Sequence, residues 1–257
     1  MSYFEAIISG IVQGLTEFLP VSSSGHLVIL HHYLGFKEPQ LTFDIFLHVA
    51  TLFAVIVYFW RDIIRIAKGQ RKIFWFVIIG SIPTAFIGFF FKEKFEAMFS
   101  DIKVVGFMLF VTALFLFIGD WAGRRKEISK DAGSGLNWIK ALAVGIIQGL
   151  SIIPGISRSG STISSGMIFG IKKEDAIRFS FLLSIPAIIG ALILKITDSS
   201  GFVITPQIFA GGIFAFFVGL LSIYILIRSV VTGRLKFFAI YCILIGGALL
   251  ILNMKGA

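Results

Sequence analysis

The sequence predicts an all-α polytopic membrane protein: about six transmembrane helices plus two re-entrant helical hairpins, arranged as an inverted-topology internal repeat. Three observations predict it. The chain is 57% hydrophobic and 14% charged, with a mean hydropathy of +0.95, whereas a soluble domain carries about 25% charged residues. Apolar segments of membrane-spanning length recur along it. One polar phrase also appears twice inside apolar sequence, as GIVQGLTEFLPVSSSGH at 10–26 and GIIQGLSIIPGISRSGS at 145–161.

Roughly 20 apolar residues cross a bilayer as a helix. Segments at about 41–60, 73–91, 102–119, 179–196, 207–228 and 235–253 meet that length. Residues 4–34 and 138–170 do not. Each is a pair of apolar arms broken by Pro, Gly and Ser, and each arm is too short to cross, so both are expected to be re-entrant hairpins. Irregular backbone at membrane depth survives only where protein or a water-filled cavity satisfies it. The phrases Gly80-Ser81-Ile82-Pro83 and Leu183-Ser184-Ile185-Pro186 are expected as kinks within spans, where proline is tolerated. The 29 phenylalanines are expected mostly to face lipid, with Trp60, Trp121 and Trp138 as interfacial anchors.

Basic residues orient the chain. The segments 61–72, 120–140, 171–178 and 228–236 hold 16 of the 23 Lys and Arg; Lys37, Lys92, Lys94, Lys103, Lys195 and Lys255 fall on the opposite side, and Arg158 lies inside the second hairpin. The richer side should be cytoplasmic. Both termini and the first hairpin then lie on the outer side, and the second hairpin enters from the cytoplasm. Each half is one hairpin plus three spans, so the second half is upside down relative to the first. The expected organisation is a single integral membrane domain over 1–257, with inverted repeats at 1–119 and 138–257. Such repeats often build a central site where they meet. The net charge of +9 is thereby assigned to loops that set topology, and no nucleic-acid partner is expected. MSYFEAIISG has no basic start, so no cleaved signal peptide is expected. The single cysteine, Cys242, can form no internal disulfide and is expected as a small buried hydrophobe.

The polar groups of the two phrases carry the chemistry. Ionisable residues inside a membrane are costly and usually functional. Gln13 and Glu17 are four apart and share a helix face. Ser22, Ser23, Ser24, Gly25 and His26 read as a turn feeding a helix start, and Ser157, Arg158, Ser159, Gly160 and Thr162 repeat that design with a guanidinium added. Serines cap helix N-termini, and the free N–H groups there attract anions such as phosphate. A guanidinium offers a fork that fits phosphate oxygens. Two such starts facing each other suit a pyrophosphate. His31 and His32 are expected at the interface, and His48 as a satisfied polar residue facing the hairpin. No protein metal cage is visible, so any metal would be held mainly by substrate phosphates with one or two carboxylates, here Glu17. Ser-Gly-His followed later by Ser-Arg is locally similar to the type 2 phosphatidic acid phosphatases, but that family needs a further His after its Ser-Arg, and here His48 is the last.

With QGLTEFLPVSSSGH at 13–26 and PGISRSGSTISSG at 154–166, essentially the whole chain resembles the undecaprenyl-pyrophosphate phosphatase (bacitracin-resistance) family. The family's first motif has Glu or Gln, three residues, then Glu, which correspond to Gln13 and Glu17; its reactive Ser corresponds to Ser23, its His to His26 and its Arg to Arg158. The resemblance implies hydrolysis of a polyprenyl pyrophosphate to the monophosphate and inorganic phosphate at the outer face of a bacterial plasma membrane. It also implies a Mg²⁺ or Ca²⁺ ion, a role in recycling the cell-wall lipid carrier, and bacitracin resistance. Glu17, Ser23, His26 and Arg158 are the expected catalytic residues. Gln13, Ser22, Ser24, Gly25, Ser157, Ser159, Gly160 and Thr162 are the expected substrate-binding residues. The nucleophile is left between Ser23, His26 and water, and a homodimer is a compatible assembly. The competing class is a polyprenyl-phosphate flippase, which would use the same anion site without hydrolysis. The orientation makes a direct prediction: Ile66→Cys should react with impermeant thiol reagents only from the cytoplasmic side, and labelling from outside would overturn the topology.

Overall fold

A computed structural model describes residues 1–36, 41–69, 71–128, 135–198 and 205–254. Lys37, Lys130 and Lys255, counted above for orientation, lie outside the described residues. The order is α1 (Tyr3–Phe18), α2 (Ser23–Tyr33), α3 (Leu41–Tyr58), α4 (Trp60–Ala67), α5 (Arg71–Phe90), α6 (Lys92–Met98), α7 (Ile102–Ile128), α8 (Trp138–Leu150), α9 (Arg158–Ile168), α10 (Lys173–Asp198), α11 (Pro206–Val231) and α12 (Leu235–Met254). No strand occurs among the described residues. The chain is an all-helical, multi-pass membrane protein: α5, α7, α10, α11 and α12 are each long and apolar enough to cross a bilayer, and α3 joins them if it is counted with α4, from which it is bent by 71°.

Helix boundaries follow local chemistry. A capping box opens α1: Ser2 Oγ accepts from the Glu5 amide at 3.2 Å, and the Glu5 carboxylate accepts from the Ser2 amide at 2.7 Å. Pro20 pushes Leu19 into extended backbone (φ −60°, ψ 141°) and so ends the helix. Asn137 caps α8 through the Lys140 amide at 3.0 Å. Thr205 caps α11, with Pro206 in its first turn. At 1.5 Å per residue, α1 and α8 reach roughly 24 and 20 Å, short of a hydrocarbon core of about 30 Å.

Two helices were not legible as separate elements. α4 follows α3 across the bend, and its Asp62 Oδ1 receives Arg178 Nη2 of α10 at 2.7 Å. α6 is a seven-residue helix after α5. Two spans also run beyond their apolar windows. α10 begins six residues earlier than the hydropathy suggests, on a first turn carrying Glu174 and Asp175, where acidic residues favour the helix start. α7 continues to Ile128, supported by the Asp120–Arg124 pair at 2.6 Å. The helices α5 and α10 run through Pro83 and Pro186. Phenylalanines such as Phe86, Phe90, Phe107 and Phe217 are exposed on the outer surface, as are Trp60, Trp121 and Trp138, with Arg61 over the Trp60 ring and Arg125 over Trp121.

The first hairpin, α1–α2, lies along α11, and the second, α8–α9, lies along α5; α3 packs on α11 and α10 on α5; α3 meets α10, and α7 meets α12. Thus exchanging one half for the other maps these contacts onto each other. The hairpin crossings are made by glycine. A Cβ on Gly10 would collide with the Gly211 carbonyl, and one on Gly145 with the Gly80 carbonyl. Small residues allow such close backbone approach where helices meet in lipid. At the centre, Phe18 and Phe59 both pack on Phe181, with ring centroids 5.6 and 4.8 Å apart. Gly145→Val should therefore separate α8 from α5 and cost about 1–3 kcal/mol or more. Thermal unfolding in detergent checks this, and an unchanged midpoint would contradict the crossing.

Candidate active site

The hairpin tips meet and are pinned by hydroxyls. Ser22 is the one described non-glycine residue with positive φ (71°). That strain costs about 1–3 kcal/mol, while a polar group buried without a partner costs roughly 2–7 kcal/mol. In this conformation Ser22 Oγ accepts from the Gly25 amide at 3.3 Å, which caps α2, and from the Gly155 amide of the second hairpin at 3.1 Å. The second tip repeats the cap: Ser157 Oγ accepts from the Gly160 amide at 3.1 Å. Gly155 has φ 98°, and a Cβ there would collide with the Val105 carbonyl. Thr112 of α7 completes the clamp, donating to the Gly155 carbonyl and accepting from the Ser157 amide, both at 2.8 Å.

Because Ser22 and Ser157 are both N-caps, Ser23 and Arg158 occupy the same first helical position in the two hairpins. Both converge on Glu17, whose side chain is only 5% exposed. Ser23 Oγ donates to Glu17 Oε2 at 2.6 Å. Arg158 Nη2 donates to Glu17 Oε1. Gln13 Nε2 donates to Oε2 at 3.1 Å and to Thr51 Oγ1 at 3.5 Å. His48 Nε2 lies 3.3 Å from Oε2. One carboxylate therefore gathers a hydroxyl, a guanidinium, an amide and an imidazole from α1, α2, α3 and α9. Arg158 Nη1 and Gln13 Oε1 are buried without a hydrogen-bond partner, so one donor and one acceptor remain for a ligand.

Glu17, Ser23, Arg158 and Gln13 are thus brought together, and the other expected residues are not. His26 turns elsewhere: Nδ1 donates to the Ser22 carbonyl at 2.8 Å, so Nε2 accepts from Tyr241 OH at 2.9 Å, with the two rings stacked. Ser24 Oγ lies 3.4 Å from Ser22 Oγ, and Ser159 Oγ 3.3 Å from Ser157 Oγ. Gly25 and Gly160 supply the capped amides. Thr162 is buried, with its hydroxyl on the Arg158 carbonyl and on Ser180 Oγ, at 2.7 and 2.6 Å; it braces the helix start instead of facing an opening. His31 is not interfacial. It is buried, 3.3 Å from Ser9 Oγ and 3.9 Å from Asp44 Oδ1, because α2 packs back on α1. Cys242 is buried beside the Pro20 carbonyl.

Sequence reasoning missed Thr51, Thr112 and Tyr241; it placed His48 facing the hairpin without naming Glu17 as its partner. A polar residue inside an apolar span was the only available signal for His48. Thr112 and Tyr241 look like ordinary span residues.

The site does not form a metal cage. Among the described residues no group of three or more His, Cys, Asp or Glu could hold an ion. Both oxygens of Glu17, the expected carboxylate ligand, are already engaged by four neighbours. Among the described residues, Gln13 Oε1 is thus the one site oxygen open to an ion held mainly by other ligands.

Residues 6–248 match the family described as bacitracin resistance protein BacA. Relatives named undecaprenyl-diphosphatase align over nearly full length. One from Desulfatibacillum aliphaticivorans is 41% identical, over 98% of this chain and 99% of its own. One from Halothermothrix orenii is 42% identical over 98% of each chain. One from Methanosphaera stadtmanae is 39% identical over 99% of each. With a match of that extent, and with the paired hairpin motifs placed on one buried carboxylate, the chain belongs to the bacitracin resistance protein BacA family.

Proposed function

We propose that this chain is an undecaprenyl-diphosphatase, an integral membrane hydrolase that converts the polyprenyl pyrophosphate to its monophosphate and inorganic phosphate. The observation that carries this reading is the convergence of Ser23, Arg158 and Gln13 on Glu17 at the junction of the two hairpins. A nucleophile, a base and a phosphate-binding cation in one buried cluster suit phosphoryl transfer. The full-length relatives, all named for the phosphatase activity, favour hydrolysis over the flippase reading.

In the mechanism, Arg158 turns its free Nη1 to the terminal phosphoryl group and stabilises the charge that develops there. Ser23 Oγ attacks the terminal phosphorus as its proton passes to Glu17 Oε2. The Oγ–P bond forms, the bond from that phosphorus to the bridging oxygen breaks, and its electron pair leaves with the prenyl monophosphate. Water then attacks the phosphoserine, Oγ regains its proton from Glu17, and inorganic phosphate departs. Ser23 is preferred to His26 as nucleophile because its hydroxyl already touches the base, whereas His26 Nε2 is engaged by Tyr241. A divalent ion, Mg²⁺ or Ca²⁺, bound with the pyrophosphate would neutralise phosphoryl oxygens, with Gln13 Oε1 as its protein contact. The concentration of basic residues in the loops supports a site that opens to the outer face of the plasma membrane. The matching packing of α1 on α11 and α8 on α5 supports reading the halves as inverted repeats.

Detergent-purified protein should release phosphate from farnesyl pyrophosphate and lose that activity in EDTA. Glu17→Gln should lower turnover by about 10²–10⁴-fold, and Arg158→Ala by about 10²–10³-fold, both in folded protein. Full turnover by Glu17→Gln would refute the base. A phosphoryl group trapped on neither Ser23 nor His26 would leave direct attack by water.

A further inference from the structure

His48 of α3 stands against the proposed base without belonging to either hairpin. Its Nδ1 lies 2.7 Å from the Asp44 carbonyl oxygen. A carbonyl only accepts, so this nitrogen carries a hydrogen. Nε2 lies 3.3 Å from Glu17 Oε2. That carboxylate also receives Arg158 on Oε1 and Ser23 and Gln13 on Oε2, so it is the accepting partner here as well. Two lone pairs would repel at this distance, so a hydrogen lies between Nε2 and Oε2 and joins the ring to the carboxylate.

The same helix fixes the other side of the carboxylate. Thr51 Oγ1 donates to the His48 carbonyl at 2.9 Å and lies 3.5 Å from Gln13 Nε2. One turn of α3 thus brackets Glu17 directly through His48 and indirectly through Thr51 and Gln13. A carboxylate on a helix can rotate about its side-chain torsions. Arg158 holds one oxygen, and Gln13 and His48 hold the other beside Ser23.

We propose that His48 is a positioning residue for the phosphatase reaction: its Nε2–H holds Glu17 Oε2 in line with the Ser23 hydroxyl. It bonds the base and neither the substrate nor the nucleophile, and it acts through Glu17. The inference rests on the reading of Glu17 as the base.

The test compares kcat and KM on farnesyl pyrophosphate for wild type, His48→Met, His48→Gln and Glu17→Gln. Methionine fills similar space without an N–H; glutamine reaches as far and supplies one. His48→Met should lower kcat about 100-fold or more while KM moves less than about threefold, since substrate binding is not what His48 serves. His48→Gln should recover kcat to within about tenfold of wild type. If the methionine variant does not fold, His48→Asn replaces it, because its amide is one methylene too short to reach Oε2 and should fall likewise. Equal kcat for the methionine and glutamine variants, whether both high or both low, would overturn the inference and leave His48 a space-filling residue. An inactive Glu17→Gln beside an unimpaired His48→Met would overturn His48 alone. A fully active Glu17→Gln would overturn the base and His48 with it.

Discussion

A chain that turns between helices in the interior of a protein buries amides and carbonyls that must find partners there. In this protein the two turns satisfy each other. Ser22 Oγ takes one amide from its own helix and one from Gly155 of the other hairpin. Thr112 takes the next amide and carbonyl of the second tip. Ser22 holds its positive φ while its hydroxyl meets both amides. The tips are consequently held in mutual contact. Without that contact Glu17 would be buried without the Arg158 guanidinium, a larger cost than one strained residue.

The two hairpins share a design and divide the chemistry. Each has a glutamine in its first arm, a serine cap, and a glycine amide closing the cap. Counted from the glutamine, Glu17 corresponds to Ile152; counted from the cap, Ser23 corresponds to Arg158. The first copy therefore carries the carboxylate and hydroxyl, and the second supplies only the guanidinium. Gln13 points its amide at Glu17, whereas Gln148 bonds Thr84 Oγ1 and the Leu183 carbonyl, both at 3.3 Å, and holds α8 to its neighbours. The two tips share a scaffold, and the difference at these two positions makes one site out of them.

The crossings that carry these hairpins are made of small residues, and the outer surface is made of large ones. Gly10 on Gly211 and Gly145 on Gly80 let backbones touch, while exposed phenylalanines and isoleucines face outward. This inverts the habit of soluble proteins, because lipid gives no hydrophobic reason to bury bulk. Close approach also shortens the distance from α1 and α8 to the central helices, so α3 can place His48 and Thr51 beside the first hairpin.

The long apolar helices, the paired hairpin arms and the polar groups Glu17, Ser23 and Arg158 set in apolar sequence were legible in the sequence. Each depends on local pattern: apolar length, a proline that stops a helix, or a costly polar group in apolar surroundings. The sequence could also name the family, since the two motifs are long. Only the tertiary structure decided which polar groups share an atom. It joined Glu17 to a guanidinium 141 residues away and His26 to a tyrosine 215 residues away. It turned Thr162 into a brace, buried His31, and placed His48 on the base. No local periodicity encodes such contacts, because they arise where independently formed helices cross, and the crossing is set by which side chains are small enough to let backbones meet.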